Sequence, residues 1–165
     1  MKTNALTFDG LDDYVSATVQ IMHAKGDFTI SGWFKPAENG VRWQRLISFS
    51  GQGLWTYKNK YVWWSSDFGT MDTGIPCRIG KWTYFAAARE GETITLYIDG
   101  VQVTSFLDTA SLSPVLLIGG DSAAKYGFPG TIDEITLYNR ALSATRITEN
   151  YKAINNAGLI ISYSF

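Results

Sequence analysis

Short runs of β-branched and aromatic residues, broken at close intervals by Gly, Asn and Asp, fill this chain, and that punctuation most limits what it can fold into. The runs predict strands over Leu6–Phe8, Tyr14–Ala17, Phe28–Lys35, Arg45–Ser50, Gly53–Tyr57, Tyr61–Ser65, Lys81–Arg89, Thr93–Ile98, Val101–Ser105, Val115–Ile118, Thr131–Tyr138 and Gly158–Phe165. Two tight returns join them. Asp99-Gly100 is a two-residue type I′ signature, since both central positions need positive φ, and Lys58-Asn59-Lys60 returns Tyr57 to Tyr61 in a similar way. The sheets are therefore expected to be antiparallel. One stretch reads as helix: Ser143 is a good N-cap, and Ile147 and Tyr151 share a face four residues apart, so a short helix over 143–151 is expected, packed on an edge.

A chain of 165 residues can build one body around one core, and no internal repeat or Pro/Ser-rich linker divides it, so residues 1–165 read as a single domain. Two sheets, each with one face inward, are the ordinary way to bury a dozen such strands, which favours a β-sandwich over a barrel. The net charge of −1 and the absence of any Lys/Arg run exclude the footprint of a nucleic-acid binder, and no apolar run reaches membrane-spanning length. A lone Cys77 cannot close an internal disulfide and reads as a half-buried thiol. Met1-Lys2-Thr3-Asn4 leads into an amphipathic strand with no leader-like apolar segment. That fits a cytoplasmic protein, a module excised from a longer secreted chain, or a virion component; a secreted or virion-associated setting is the expectation.

Several segments occur in a telling order: Leu6-Thr7-Phe8-Asp9-Gly10-Leu11-Asp12-Asp13-Tyr14-Val15, Asp27-Phe28-Thr29-Ile30-Ser31-Gly32-Trp33-Phe34-Lys35-Pro36, Gly80-Lys81-Trp82-Thr83-Tyr84-Phe85, Thr95-Leu96-Tyr97-Ile98-Asp99-Gly100 and Gly130-Thr131-Ile132-Asp133-Glu134-Ile135, continuing to Ser143. From about residue 5 to about residue 151 the chain resembles the laminin-G-like, concanavalin A-type jelly roll. The resemblance implies an all-β fold of two curved antiparallel sheets stacked face to face, termini side by side, with one short C-terminal helix. Its motifs are mostly core and turn residues, and the family hosts lectins, carbohydrate-binding modules, adhesion domains and phage tail pieces. The fold is implied sharply and the function broadly. Residues 157–165 look like a strand that often opens such a module, which allows for further modules in a longer protein.

Acidic residues gather at both ends of the matched region, each group where a β-patterned segment meets a turn, a setting in which carboxylates and free carbonyls suit a hard cation such as Ca²⁺. The resemblance implies a structural calcium where the Asp9 turn meets the Asp133 strand. Asp9 and Asp133 are then the leading ligands, with Asp12 or Asp13 third, while Glu134 should point to the opposite face. The plainer alternative is that Asp9, Asp12 and Asp13 only set a turn by hydrogen bonding their own backbone.

An aromatic cluster occupies the middle. Four of the six tryptophans, Trp43, Trp55, Trp63 and Trp64, lie between residues 43 and 64 with Tyr57, Tyr61, Arg42 and Arg45, where the chain departs most from the family's usual sequence. Flat rings offer apolar faces to the C–H surface of a sugar while nearby polar groups bond its hydroxyls, so Trp43, Trp55, Tyr57, Trp63, Trp64, Arg42 and Arg45 are the candidate glycan contacts. Trp63 and Trp64 are adjacent on one strand and must face opposite ways, so at least one should face outward. Asp67, Asp72, Arg78 and Lys125 are subsidiary polar partners from neighbouring loops, and Trp33 and Trp82 are assigned to the core.

Catalysis has little support in the sequence. Retaining glycoside hydrolysis needs two carboxylates about 5–5.5 Å apart, and the Glu-x-Asp-x-x-Glu strand of jelly-roll hydrolases does not occur here. The single histidine, His23, falls in a predicted loop with no evident orienting acid, and no Cys/His metal spacing, phosphate loop or nucleophile elbow occurs. The expected function is a non-catalytic, lectin-like module binding a polysaccharide or other glycan. The alternative is a structural or adhesion domain of a larger assembly.

Overall fold

The computed structural model describes residues 5–19, 25–37, 42–49, 52–121, 123 and 125–157, with side chains as far as residue 153. Two antiparallel sheets of six strands each stack face to face. The strands are β1 (Leu6–Asp9), β2 (Val15–Thr18), β3 (Phe28–Pro36), β4 (Gln44–Phe49), β5 (Gln52–Tyr57), β6 (Lys60–Ser65), β7 (Gly69–Pro76), β8 (Thr83–Glu90), β9 (Thr93–Ile98), β10 (Val101–Leu107), β11 (Val115–Ile118) and β12 (Pro129–Tyr138). The first sheet runs β1-β12-β3-β8-β9-β10 and the second β2-β11-β4-β5-β6-β7. The sandwich of the sequence reading is the observed fold. The predicted strand over 158–165 and His23 lie outside the described residues.

Alternation along each strand decides what is buried between the sheets. Phe28, Ile30 and Phe34 of β3, Phe85 and Ala87 of β8 and Ile94, Leu96 and Ile98 of β9 meet Ile47, Phe49, Leu54, Tyr61 and Trp63 from the second sheet in one core. Trp63 stacks on Phe85 across the gap, ring centroids 6.5 Å apart.

A polar knot sits within this apolar layer. Asp108 is fully buried and accepts hydrogen bonds from Trp63 Nε1 at 3.1 Å, Ser65 Oγ at 2.8 Å and the Ala110 N–H at 3.0 Å. Arg89, also buried, donates to the carbonyls of Gly91 and Ala110 at 2.9 Å each. A buried carboxylate with three donors is satisfied where an isolated one would be costly.

Both predicted hairpins form. Lys58 (φ 49°) and Asn59 (φ 63°) turn β5 into β6 with Tyr57 opposite Lys60, and Asp99 (φ 50°) and Gly100 (φ 77°) turn β9 into β10. Strand β7 went unanticipated, because Gly69, Gly74 and Pro76 read as loop. As the edge strand of its sheet it can hold those residues.

The helix α1 (Ala144–Ala157) outruns its prediction and does not sit on an edge. It covers the outer face of the first sheet, where Tyr151 stacks on Trp33 with centroids 5.7 Å apart and Ile147 and Leu142 bury against Tyr84, Ala86 and Tyr97. Trp33 is thus buried as expected, but beneath the helix, with Trp82 partly buried beside it. Among the described residues no helix is long and apolar enough to cross a membrane.

Candidate functional site: an aromatic pocket on the second sheet

The outer face of the second sheet is built by register. Directly opposed residues share a face, so the pairing of Arg45 with Trp55 and of Gly53 with Trp64 puts Arg45, Trp55 and Trp64 on the side away from the core. Trp55 and Trp64 become diagonal neighbours with centroids 6.2 Å apart. Gly53, opposite Trp64, is also where β4 presses closest, since a Cβ there would lie 2.4 Å from Ser48 Cβ. Trp43, just before β4, stacks flat on Tyr57 at 4.2 Å.

A bulge in β4 between Arg45 and Ile47 turns the strand toward the loop joining β11 to β12, and the Arg45 N–H donates to the Tyr126 carbonyl at 2.8 Å. That bond delivers Tyr126 to the site. The result is a cavity of about 300 Å³ lined by Trp43, Arg45, Trp55, Trp64 and Tyr126. Trp55, 6% exposed, forms its floor. Trp43 at 88°, Tyr126 at 79° and Trp64 at 63° stand steeply to the Trp55 ring.

Arg45 lies over Trp55, its Cζ 4.6 Å from the ring centroid, and pairs through Nη1 with Asp121 Oδ2 at 3.1 Å. Burial lowers the guanidinium's pKa from its ordinary value, and Asp121 and Tyr126 partly offset this. Two donors here are buried with no hydrogen-bond partner among the described residues: Arg45 Nε and Trp55 Nε1.

The sequence-predicted contacts divide accordingly. Trp43, Arg45, Trp55 and Trp64 line the pocket, and Tyr57 buttresses Trp43 from behind. Arg42 is exposed and lies outside the lining. Trp63 cannot face a ligand: it is fully buried between the sheets with its indole committed to Asp108, so of the adjacent pair Trp64 is the one turned out. Asp67 bonds Thr109, Asp72 on β7 pairs with Lys60, and Arg78 pairs with Asp99, so these three are engaged elsewhere. Lys125 is exposed, its Nζ 5.2 Å from the Tyr126 ring centroid. The sequence reading missed Tyr126 and Asp121, which arrive from a loop remote in the chain.

The acidic ends meet, but out of step. Strand β1 pairs with β12, with Asp9 opposite Pro129 and Leu6 opposite Ile132. Asp133 therefore lies four residues further along β12 than Asp9's partner, roughly 13 Å at about 3.3 Å per residue. The expected Asp9–Asp133 pair is not formed, and Asp133 Oδ1 instead accepts the Glu134 N–H at 2.8 Å, at a bulge where Glu134 has φ 53°. Asp9, Asp12 and Asp13 do cluster, with a carboxylate oxygen from each within 4.8 Å of the others. Two of their oxygens serve the turn itself: Asp9 Oδ1 accepts the Leu11 N–H at 2.7 Å and Asp13 Oδ2 the Asp9 N–H at 3.1 Å.

Comparison with known proteins adds the frame. Residues 8–148 match the family model described as the concanavalin A-like lectin/glucanases superfamily. No curated protein matches the sequence. Among solved structures the chain is similar to domain 4 of a GH43 extracellular arabinanase from Geobacillus stearothermophilus, solved with arabinotriose (TM-score 0.72, 19% identity, 88% of this chain and 75% of that one). It is also similar to a Trypanosoma rangeli sialidase in complex with the inhibitor DANA (TM-score 0.75, 20% identity, 93% of this chain) and to the botulinum neurotoxin serotype D binding domain (TM-score 0.72, 16% identity, 92% of this chain). The chain spans 28% of the sialidase and 43% of the toxin domain. At these identities the likeness is one of fold.

Proposed function

This chain belongs to the concanavalin A-like lectin/glucanases superfamily, and on that premise we propose that it is a non-catalytic carbohydrate-binding module that docks a glycan in the pocket over Trp55. The observation that carries the reading is the gathering of four aromatic rings, Trp43, Trp55, Trp64 and Tyr126, with Arg45 around one cavity. The C–H face of a pyranose or furanose would lie on the rings. Glycan binding by structural neighbours, such as the arabinanase domain solved with arabinotriose, is consistent with this use of the fold.

The non-catalytic part of the proposal rests on the pocket's chemistry. Among the described residues its lining includes no carboxylate, and Asp121 reaches it only through the ion pair with Arg45. Two free acids flanking a scissile bond, as glycoside hydrolysis requires, have no counterpart there among the described residues.

The proposal includes one structural calcium at Asp9, Asp12 and Asp13, without Asp133. The donor set suits a hard cation: Asp9 Oδ2 and Asp13 Oδ1 are not used by the turn's hydrogen bonds, and turn carbonyls could complete the shell. Its role would be to brace the turn between β1 and β2.

An oligosaccharide array followed by titration of tryptophan fluorescence tests the function. Trp64→Ala is expected to weaken the best ligand at least about tenfold, as loss of a central aromatic contact does, with the melting midpoint nearly unchanged because Trp64 is partly exposed. A reducing-end assay on the same ligand should show no cleavage. Absence of binding across the array, together with self-association by light scattering, would favour a structural role in a larger assembly.

A further inference from the structure

The pocket's shape and charge narrow what it can hold, and this inference rests on the glycan-binding reading. A surface that grips a polysaccharide along its length presents rings side by side in one plane, so that successive sugars lie on successive rings. Here Trp43, Trp64 and Tyr126 stand at 63–88° to Trp55, so the rings form no flat row. The cavity of about 300 Å³ sits at the small end of ligand pockets, which run from about 300 to 1,000 Å³. A sugar entering such a site meets steep rings and the Arg45 guanidinium that lies over Trp55, and the next unit of its chain must leave through the mouth.

Charge points the same way. The one cation among the lining residues, Arg45, is already neutralised by Asp121 at 3.1 Å, so the floor offers no net positive charge to an acid. A carboxylate brought in beside Asp121 would meet a like charge in a partly desolvated setting, where such repulsion is poorly screened. Lys125, its ammonium 5.2 Å from the Tyr126 ring centroid, is exposed, where solvent and salt screen its charge more than that of the half-buried Asp121.

We propose that this pocket takes a single terminal unit of a neutral glycan, end-on, and does not bind the interior of a polysaccharide chain. The test uses the intact protein and fluorescence titration with the di-, tetra- and hexasaccharide of the neutral series that binds best on an oligosaccharide array, together with the disaccharide whose terminal unit is oxidised to the uronic acid. The expected result is a Kd that changes by less than about threefold from disaccharide to hexasaccharide, and a uronate that binds at least about tenfold more weakly. In Asp121→Asn the gap between neutral and uronate ligands should shrink to about threefold or less. A Kd that tightens more than about tenfold with chain length, a uronate that binds as well as the neutral sugar, or a gap indifferent to Asp121→Asn would overturn this inference and leave glycan binding standing. Failure of every neutral and acidic sugar on the array to bind would instead overturn both.

Discussion

At the scale of single residues, three buried side chains, Trp63, Cys77 and Tyr61, set how the molecule responds to change. Trp63 is locked between the sheets and gives its indole N–H to Asp108. Trp63→Phe keeps most of the apolar volume but removes one of three donors to a buried carboxylate, and is expected to cost about 1–3 kcal/mol in urea denaturation while leaving glycan affinity unchanged. Trp64→Ala should do the reverse, and a shared effect would contradict the division of roles. Cys77 is buried, deeper than its sequence context suggested, and burial pushes its thiol pKa up to about 12; burial also raises the Tyr61 hydroxyl. Unfolding returns them to ordinary values of about 8.5 and 10. Both are neutral when protonated, and the folded state holds those protons more tightly, so their contribution to stability is complete below pH about 8.5 and is lost as the pH climbs from there toward 12. Melting midpoints should be flat from neutrality to that point and fall above it, and Cys77→Ala should soften the early part of the fall.

At the scale of elements, the β5–β6 hairpin holds two non-glycine residues, Lys58 and Asn59, at positive φ. Replacing the pair with Asn-Gly suits a type I′ turn better and is expected to stabilise by about 0.5–1 kcal/mol, read as a raised melting midpoint with the binding pocket intact. This hairpin and the Asp99-Gly100 hairpin were legible in the sequence because their signal is local: a turn dipeptide between alternating strands. Strand β7 was not, because an edge strand tolerates the Gly and Pro that elsewhere spell loop. The helix start at Ser143 was readable from its cap, but its docking on Trp33 depends on which side of the first sheet needed cover. The pocket was half legible for the same reason. Trp43, just before β4, and Trp55 and Trp64 on β5 and β6 cluster in the sequence, whereas Tyr126 and Asp121 arrive through the long loop after β11, and the choice between Trp63 and Trp64 follows only once the inward face is known.

At the scale of the whole molecule, the sandwich brings its acidic ends together through β1 and β12, yet their register keeps Asp133 away from Asp9. A melting scan in millimolar calcium against chelator should therefore show a stabilisation that Asp12→Asn abolishes and Asp133→Asn leaves intact. With a Kd in the range of about 10⁻⁴–10⁻³ M, about tenfold excess calcium would contribute about 1.4 kcal/mol. Identical midpoints with and without calcium would remove the ion from the account. The same register has a mechanical side. Strand β1 starts at Leu6 opposite Ile132, and β12 runs on past that point to Tyr138 before the chain leaves for α1. A pull applied at Leu6 and at Tyr138 acts on the same end of this antiparallel ladder, so the bonds between β1 and β12 peel in sequence and do not share the force. Under tension the molecule would give way at β1 first, surrendering its acidic turn while the aromatic pocket on the opposite sheet remains closed.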